Sequence, residues 1–337
     1  MMNMYDWENA FPKETEKFHT KLCNVLDVLP KEAKIIKRPK KRYVVAIVAA
    51  VMMLSSITAF ATLKWNQRAI DNFGADEQMQ EKLSDGGYSE QNVQSISENG
   101  VTVTLKQTIQ DDNLIYILFN VTADNMEITE DNDMNLEISF SNGENPYSSI
   151  SNGFVDEFEQ PEVNNSRDYE IWIQKNANYN YNDVNLICNF SSLQKFEGKT
   201  GPTKDLVTGQ WGFNIDLSAN DSVEYNINKI VTIDGCDIKI NRLKLSPISY
   251  TLFCDESDVK MLGEADSINF EECDNFYPLL ISGINYTDGT GISEENGLMS
   301  EEFNEDYIAV GKFTNAIELD KIKSILLNDN KAEVAIK

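Results

Sequence analysis

"NGVTVTLKQTIQDDNLIYILFNVTAD", residues Asn99–Asp124, decides the fold class. Val101, Val103 and Leu105 alternate with polar neighbours, the period of a strand with one face buried. Asp111-Asp112-Asn113 follows as a turn, because short polar side chains bond their own backbone there. Leu114 to Val121 then runs back as a second strand, which makes the stretch a β-hairpin. Working outward, "MNLEISF" (134–140), "YEIWIQ" (169–174), "VNLICNF" (184–190) and "WGFNIDL" (211–217) read as further short strands. Each is bounded by Asn, Asp, Ser or Gly, and recurrent short strands with long polar turns predict a β-sandwich.

The opening pattern recurs in "DGCDIKINRLKLSPISYTLFCDESD", residues Asp234–Asp258. Gly100 falls on Gly235, and with one gap Tyr116, Leu118 and Phe119 fall on Tyr250, Leu252 and Phe253. A repeat spacing of about 135 residues is one domain's worth, so two tandem sandwiches are expected, at 92–219 and 220–337. "SANDSVE" (218–224) marks their boundary, and "IELDKIKSILLNDNKAEVAIK" (317–337) closes the second.

Upstream, "KWNQRAIDNFGADEQMQEKLSDGGY" places Trp65, Ala69, Phe73, Met79 and Leu83 at loose helical spacing, broken at Gly74 and stopped by Gly86-Gly87. Residues 64–91 therefore read as short stalk helices. Before them, Tyr43–Leu63 contains no charge. A 21-residue helix rises roughly 31 Å, about the thickness of a bilayer's hydrocarbon core, so 43–63 is expected to be a transmembrane helix. Lys37, Arg38, Lys40, Lys41 and Arg42 crowd its N-terminal flank, whereas Lys64 and Arg68 follow it. Positive residues stay inside, which places residues 1–42 in the cytoplasm and everything after Leu63 outside. Ala59-Phe60-Ala61 has the form of a signal-peptidase site with cleavage after Ala61; the 42-residue leader and long apolar run fit a retained anchor better.

Charge divides along the same line. The chain carries a formal net charge of -26, with 29 basic and 55 acidic residues. Residues 1–42 hold 10 basic and 6 acidic residues, a net +4, which leaves 19 and 49, a net -30, for 64–337. An exterior so acidic is repelled by nucleic acid and anionic lipid, so no nucleic-acid partner is expected. The five cysteines are Cys23, Cys188, Cys236, Cys254 and Cys273. They contain no C-x-x-C; three lie close enough in sequence for one bridge, and small buried side chains are the better reading.

Catalytic and metal chemistry finds little footing. The single histidine, His19, lies on the inner side, so no His-dependent triad is expected outside. No spacing singles out a carboxylate pair. "DNDMNLEISFSN" begins like a calcium loop at Asp131, Asp133 and Asn135, but Leu136 replaces the turn glycine and Asn142 the bidentate glutamate, which makes it a polar loop. His19 and Cys23, at i and i+4, supply two ligands where a structural zinc site needs four. No enzyme activity, metal or cofactor is expected.

The inner tail offers a binding surface instead. Phe18, Leu22, Val25, Leu26 and Leu29 form one apolar stripe on a helix ended by Pro30, and Trp7 and Phe11 extend it upstream. A 42-residue tail cannot bury that stripe in its own core, so it docks elsewhere. Asp6, Glu8, Glu14, Glu16 and Asp27 disfavour an anionic membrane as its partner.

"YDWENAF" (5–11), the basic-flanked apolar run, "WNQRAIDNFGAD" (65–76) and "SENGVTVTLKQTIQDDNLIYILFNV" (97–121) together resemble the single-pass anti-sigma-factor-like membrane proteins of Gram-positive bacteria. Their juxtamembrane outer region is a domain of unknown function of the DUF4179 type. The resemblance covers Tyr5–Val121, and the second sandwich looks like the immunoglobulin-like domain that often follows. It implies a mainly β chain with an inner amphipathic helix, one transmembrane helix and two tandem immunoglobulin-like sandwiches. It also implies that the tail binds an extracytoplasmic-function sigma factor through Trp7, Phe11, Phe18, Leu22, Val25 and Leu26, and that the exterior senses the envelope through a ligand the sequence does not name. The inner part is shorter than a full helical anti-sigma domain. An envelope adhesion or scaffold protein with an N-terminal anchor is the alternative, and an extracellular carboxylate hydrolase is a third reading.

Overall fold

The computed structural model describes residues 65–336, apart from 92, 145–146, 156–164, 177–178, 180, 182–183, 198–202, 218–221, 266–278, 294–297 and 304–305. The tail residues Trp7 to Leu26, the basic cluster Lys37 to Arg42 and the apolar run 43–63 lie outside the described residues. Among the described residues no helix is long and apolar enough to cross a membrane.

The chain is mainly β. Among the described residues two short helices come first, α1 (Gln67–Phe73) and α2 (Glu77–Asp85). Nine strands follow: β1 (Ser89–Glu90), β2 (Gln94–Glu98), β3 (Val101–Gln110), β4 (Leu114–Ala123), β5 (Asn132–Phe140), β6 (Tyr147–Phe154), β7 (Ser166–Lys175), β8 (Asn185–Phe196) and β9 (Thr203–Asp216). The next group holds β10 (Val223–Ile233), β11 (Cys236–Leu245), β12 (Ser249–Asp255), helix α3 (Glu256–Ala265), β13 (Ile281–Tyr286), β14 (Gly291–Ser293), β15 (Leu298–Phe303), β16 (Asp306–Lys312), β17 (Ile322–Leu327) and β18 (Ala332–Ala335).

These strands build sandwich-like pairs of sheets. In the first β-unit a sheet ordered β1-β3-β4-β7-β6, with β2 also on β3, faces the sheet β5-β8-β9. Ile115, Ile117, Phe119 and Val121 point from β4 into a core with Phe190, Trp211 and Phe213 from the facing sheet. Phe119 meets Phe190 edge-on at 5.1 Å and Phe213 at 4.9 Å, the geometry aromatic quadrupoles favour. In the second β-unit the sheet β10-β11-β12-β16-β15 shares a core with β14-β13-β17-β18.

The two quoted hairpins correspond more closely than their sequence alignment implies. Asn99-Gly100 and Asp234-Gly235 turn with both residues at positive φ, 51° and 78° against 50° and 85°, the turn that suits the twist of a two-residue hairpin. The pairing register breaks after Leu105, opposite Phe119, and again after Ile240, opposite Cys254. Both positions differ by 135 residues, so no gap separates the copies. The gapped matching of Tyr116 to Tyr250 and Phe119 to Phe253 is therefore off by one residue. Tyr116 faces outward and Tyr250 inward, because a one-residue slip in a strand exchanges its faces. Ile115 is the counterpart of Tyr250.

Two local readings also change, and a helix joins the second sandwich. Ser89–Glu90 pairs with β3 and belongs to the sheet; two residues are too few to show alternation. Asp131 precedes a strand that takes in Asp133 and Asn135, and Asp133 accepts from Met134 N and from the Tyr169 hydroxyl rather than rounding a polar loop. Glu256–Ala265 forms a helix, with Val259 and Leu262 buried in the second core. Cys188 and Cys254 are buried free thiols and Cys236 is free and half-buried.

Candidate functional site

The outer face of the first sheet carries a second apolar layer, and α1 and α2 form it. Asn66 caps α1 by accepting from Arg68 N at 3.0 Å, and Asp76 caps α2 by accepting from Met79 N at 2.8 Å. Each supplies a side-chain oxygen to one of the amides that a helix start leaves open. Trp65, Ala69, Phe73, Ala75 and Leu83 pack on Ile109, Leu114, Tyr116 and Leu118. The helices thus lie on the sheet instead of standing clear of it as a stalk. Two buried glutamines fix their ends. Gln80 accepts from Trp65 N at 3.1 Å and donates to Ala75 O at 2.8 Å, while Gln107 accepts from Asn66 N at 2.8 Å.

Glu170 on β7 pins α1 to the sheet. Its carboxylate accepts from Arg68 Nε at 2.8 Å and Nη2 at 3.2 Å, from Asn72 Nδ2 at 2.8 Å and from the Tyr116 hydroxyl at 2.7 Å. Burial and the neighbouring Glu170 charge push the Tyr116 hydroxyl far above its ordinary pKa, so it acts as a donor throughout the working pH range.

The second β-unit grips the same helices as well. Lys312 Nζ donates to Asn72 O at 2.7 Å and lies 5.5 Å and 5.6 Å from the ring centres of Phe73 and Trp172. This is a cation–π seat at the carbonyl end of α1. Ala316 N donates to Phe73 O at 2.8 Å, and Glu318 pairs with Lys82 of α2. Gly74 ends α1 at φ 52°, and a Cβ there would lie 2.3 Å from Asn315 Oδ1 and 2.9 Å from Thr314 O. Its positive φ favours glycine, and the Thr314 carbonyl leaves a Cβ little room. Ile248, fully buried, inserts from the second unit into the layer between helices and sheet.

Beside Ile248 the tips of the two corresponding turns meet. Asp111 Oδ1 accepts from Asn113 N and Leu114 N, both at 2.8 Å. Ser246, its counterpart 135 residues on, does the same with its hydroxyl, accepting from Ile248 N at 3.1 Å and Ser249 N at 2.9 Å. Across the joint, the hydroxyls of Ser246 and Ser249 both donate to Asp111 Oδ2. Asn113 Nδ2 donates to Ser249 Oγ and Asn113 Oδ1 accepts from Thr251 Oγ1, each at 2.7 Å. Lys175 Nζ donates to Asp111 O at 2.7 Å, and at the rim Lys244 meets Asp112 at 3.0 Å.

Burial pushes the Asp111 carboxyl up from its ordinary value, while the two hydroxyls and two amides pull it back. Burial lowers Lys175 to about 8, against the pull of Asp111 and Asp112. Asp111, Ser246, Ser249 and Thr251 are all fully buried. The arrangement holds two β-units together through polar side chains that solvent and substrate do not reach.

None of the residues singled out from sequence for partner binding or membrane orientation lies among the described residues, so the joint is a separate feature. Sequence reading treats Asp111-Asp112-Asn113 only as a turn. The available signal was the matching turn Ser246-Pro247-Ile248 at the same place in the repeat. Among the described residues no group of three His, Cys, Asp or Glu side chains is placed to hold a metal ion.

Residues 36–123 match the family DUF4179, a domain of unknown function. The match takes in both helices and the first hairpin, with Asp111 and Asn113. No curated protein matches the chain. Among solved structures, a conserved domain protein from Bacillus anthracis is similar at 14% identity over 72% of this chain and 77% of that one, with a TM-score of 0.49. The N-terminal periplasmic domain of ScsB from Proteus mirabilis is similar at 9% identity over 73% of this chain and 96% of that one, with a TM-score of 0.22.

Proposed function

We propose that this chain is a single-pass membrane regulator, an anti-sigma factor whose inner tail binds an extracytoplasmic-function sigma factor. Residues 43–63 span the cell membrane with the N-terminus in the cytoplasm, and two tandem immunoglobulin-like sandwiches sense the envelope outside. One observation carries the reading: the helices that directly follow the apolar run are held by both β-units at once, through Glu170 of the first and Lys312 and Glu318 of the second. A change in how the β-units meet therefore reaches the segment nearest the membrane. A tail stripe of Trp7, Phe11, Phe18, Leu22, Val25 and Leu26 supplies the aromatic and leucine anchors that dominate helix-in-groove binding.

The test is a binding titration of the full chain in lipid nanodiscs against the host's extracytoplasmic-function sigma factors, with a Phe18→Asp, Leu22→Asp variant beside it. Micromolar or tighter binding that the variant loses supports the regulator. Absence of binding to all of them transfers the reading to an anchored adhesion or scaffold protein.

A further inference from the structure

We propose that Asp111 is the key of a latch between the two β-units, and that opening this latch frees α1 and α2 from the second unit's grip. The inference deepens the regulator reading, on which only its consequence inside the cell rests.

Hydrogen-bond polarity carries the first step. A serine hydroxyl has one proton and two acceptor lone pairs. Ser246 Oγ already accepts from two backbone amides, so toward the first unit it can only donate. Ser249 Oγ accepts from Asn113 Nδ2 and likewise turns its proton to Asp111. Both protons converge on Oδ2 while two more amides occupy Oδ1. Only a carboxylate accepts in all four directions. An amide of the same shape would keep the turn on its oxygen and aim an N–H at Ser246, whose two lone pairs are already taken by backbone amides, while one of the two serine protons loses its acceptor.

Connectivity carries the second step. The tip bearing Ser246 and Ser249 also holds the chain that grips the helices, because Phe313 N donates to Ile248 O at 2.9 Å and Ile317 N to Pro247 O at 2.8 Å. Lys312, Ala316 and Glu318, which bond α1 and α2, belong to that chain. Displacing the tip displaces the grip.

The makeup of the joint carries the third. Each β-unit has its own large apolar core, whereas the second unit contributes Ile248, with Ala316 beside it, to the apolar layer under the helices. Polar contacts between units with cores of their own permit relative motion. Here those contacts also depend on one acceptor oxygen, Asp111 Oδ2.

The experiment is hydrogen exchange by mass spectrometry on the full chain in nanodiscs, for wild type, Asp111→Asn and Lys312→Gln. Peptides over 67–85 report the helices and peptides over 167–174 report the first sheet. The latch predicts that Asp111→Asn speeds exchange in 67–85 by about tenfold or more, the scale of a mismatched buried hydrogen bond, while 167–174 keeps its protection. Lys312→Gln, which leaves Asp111 untouched, speeds the same peptides. If Asp111→Asn fails to fold, Ser249→Ala removes one donor without a clash and is read the same way. Unchanged helix exchange in these variants overturns the proposal. So does a joint rise in helix and sheet, which would make the units one cooperative block. No sigma factor enters the measurement, so its result is independent of the binding titration.

Discussion

Replacing Glu170 by Ala removes the acceptor on which three donors converge, and the structure sets the size of the effect. Arg68 and Glu170 side chains are 24% and 12% exposed, so screening by solvent is limited. Hydrogen bonds to a charged group contribute about 1.5–3 kcal/mol each, and removing one member of a buried pair costs about 3–5 kcal/mol. The Tyr116 hydroxyl, deeply buried, loses its acceptor altogether. Arg68, nearer to water, recovers part of its solvation, which places Glu170→Ala at about 4 kcal/mol. Glu170→Gln keeps the shape and one accepting oxygen, and should cost about 2 kcal/mol. Urea unfolding followed by tryptophan fluorescence measures both, since Trp65 and Trp172 flank the site, with the transition of the first β-unit fitted separately where the two units unfold in steps. A double-mutant cycle with Arg68→Ala should return a coupling of at least about 1 kcal/mol. A Glu170→Ala cost below about 1 kcal/mol, or a Gln variant no more stable than the Ala variant, would refute the view that charge-assisted hydrogen bonds pin α1 to the sheet.

Gly74→Ala should destabilise the helix–second unit contact by about 2 kcal/mol or more, since alanine at positive φ is strained and its Cβ meets Asn315 and Thr314; a lowered thermal midpoint with faster exchange in 67–73 checks it. Lys175 gives a pH signature. Its folded pKa of about 8 lies below the unfolded value of about 10.4, so between these values the unfolded chain binds more protons. Stability conferred by this group therefore rises as pH increases above about 8, by up to about 1.4 kcal/mol per unit. Urea midpoints at pH 7.5 and pH 9.5 should show that gain in the wild type and not in Lys175→Met.

Much of this architecture was written locally. Asn99-Gly100 and Asp234-Gly235 announce hairpins because the turn needs two residues at positive φ, and Val101, Val103 and Leu105 alternate because one side of a strand meets the core. The helices at 67–85 were legible from the spacing of Ala69, Phe73 and Leu83 and from the glycines that break and stop them, Gly74 and Gly86-Gly87. Face assignment was less secure: the irregular register after Leu105 and Ile240 leaves no mark in composition, yet it determines which of two adjacent apolar residues points inward.

By itself the sequence determined the mainly β character, the repeat of the two hairpins, and an uncharged run of membrane length between a basic tail and an acidic remainder. These follow from patterns of near neighbours, which local backbone geometry and solvent read directly. Tertiary structure alone decided that α1 and α2 are held by both β-units, that Glu170 collects donors from three side chains, and that Asp111 faces Ser246 and Ser249. One oxygen of Asp111 closes its own turn, which any Asp in a turn can do. The other finds its partners 135 and 138 residues away, and only the packing of one unit against the other brings them within hydrogen-bonding reach.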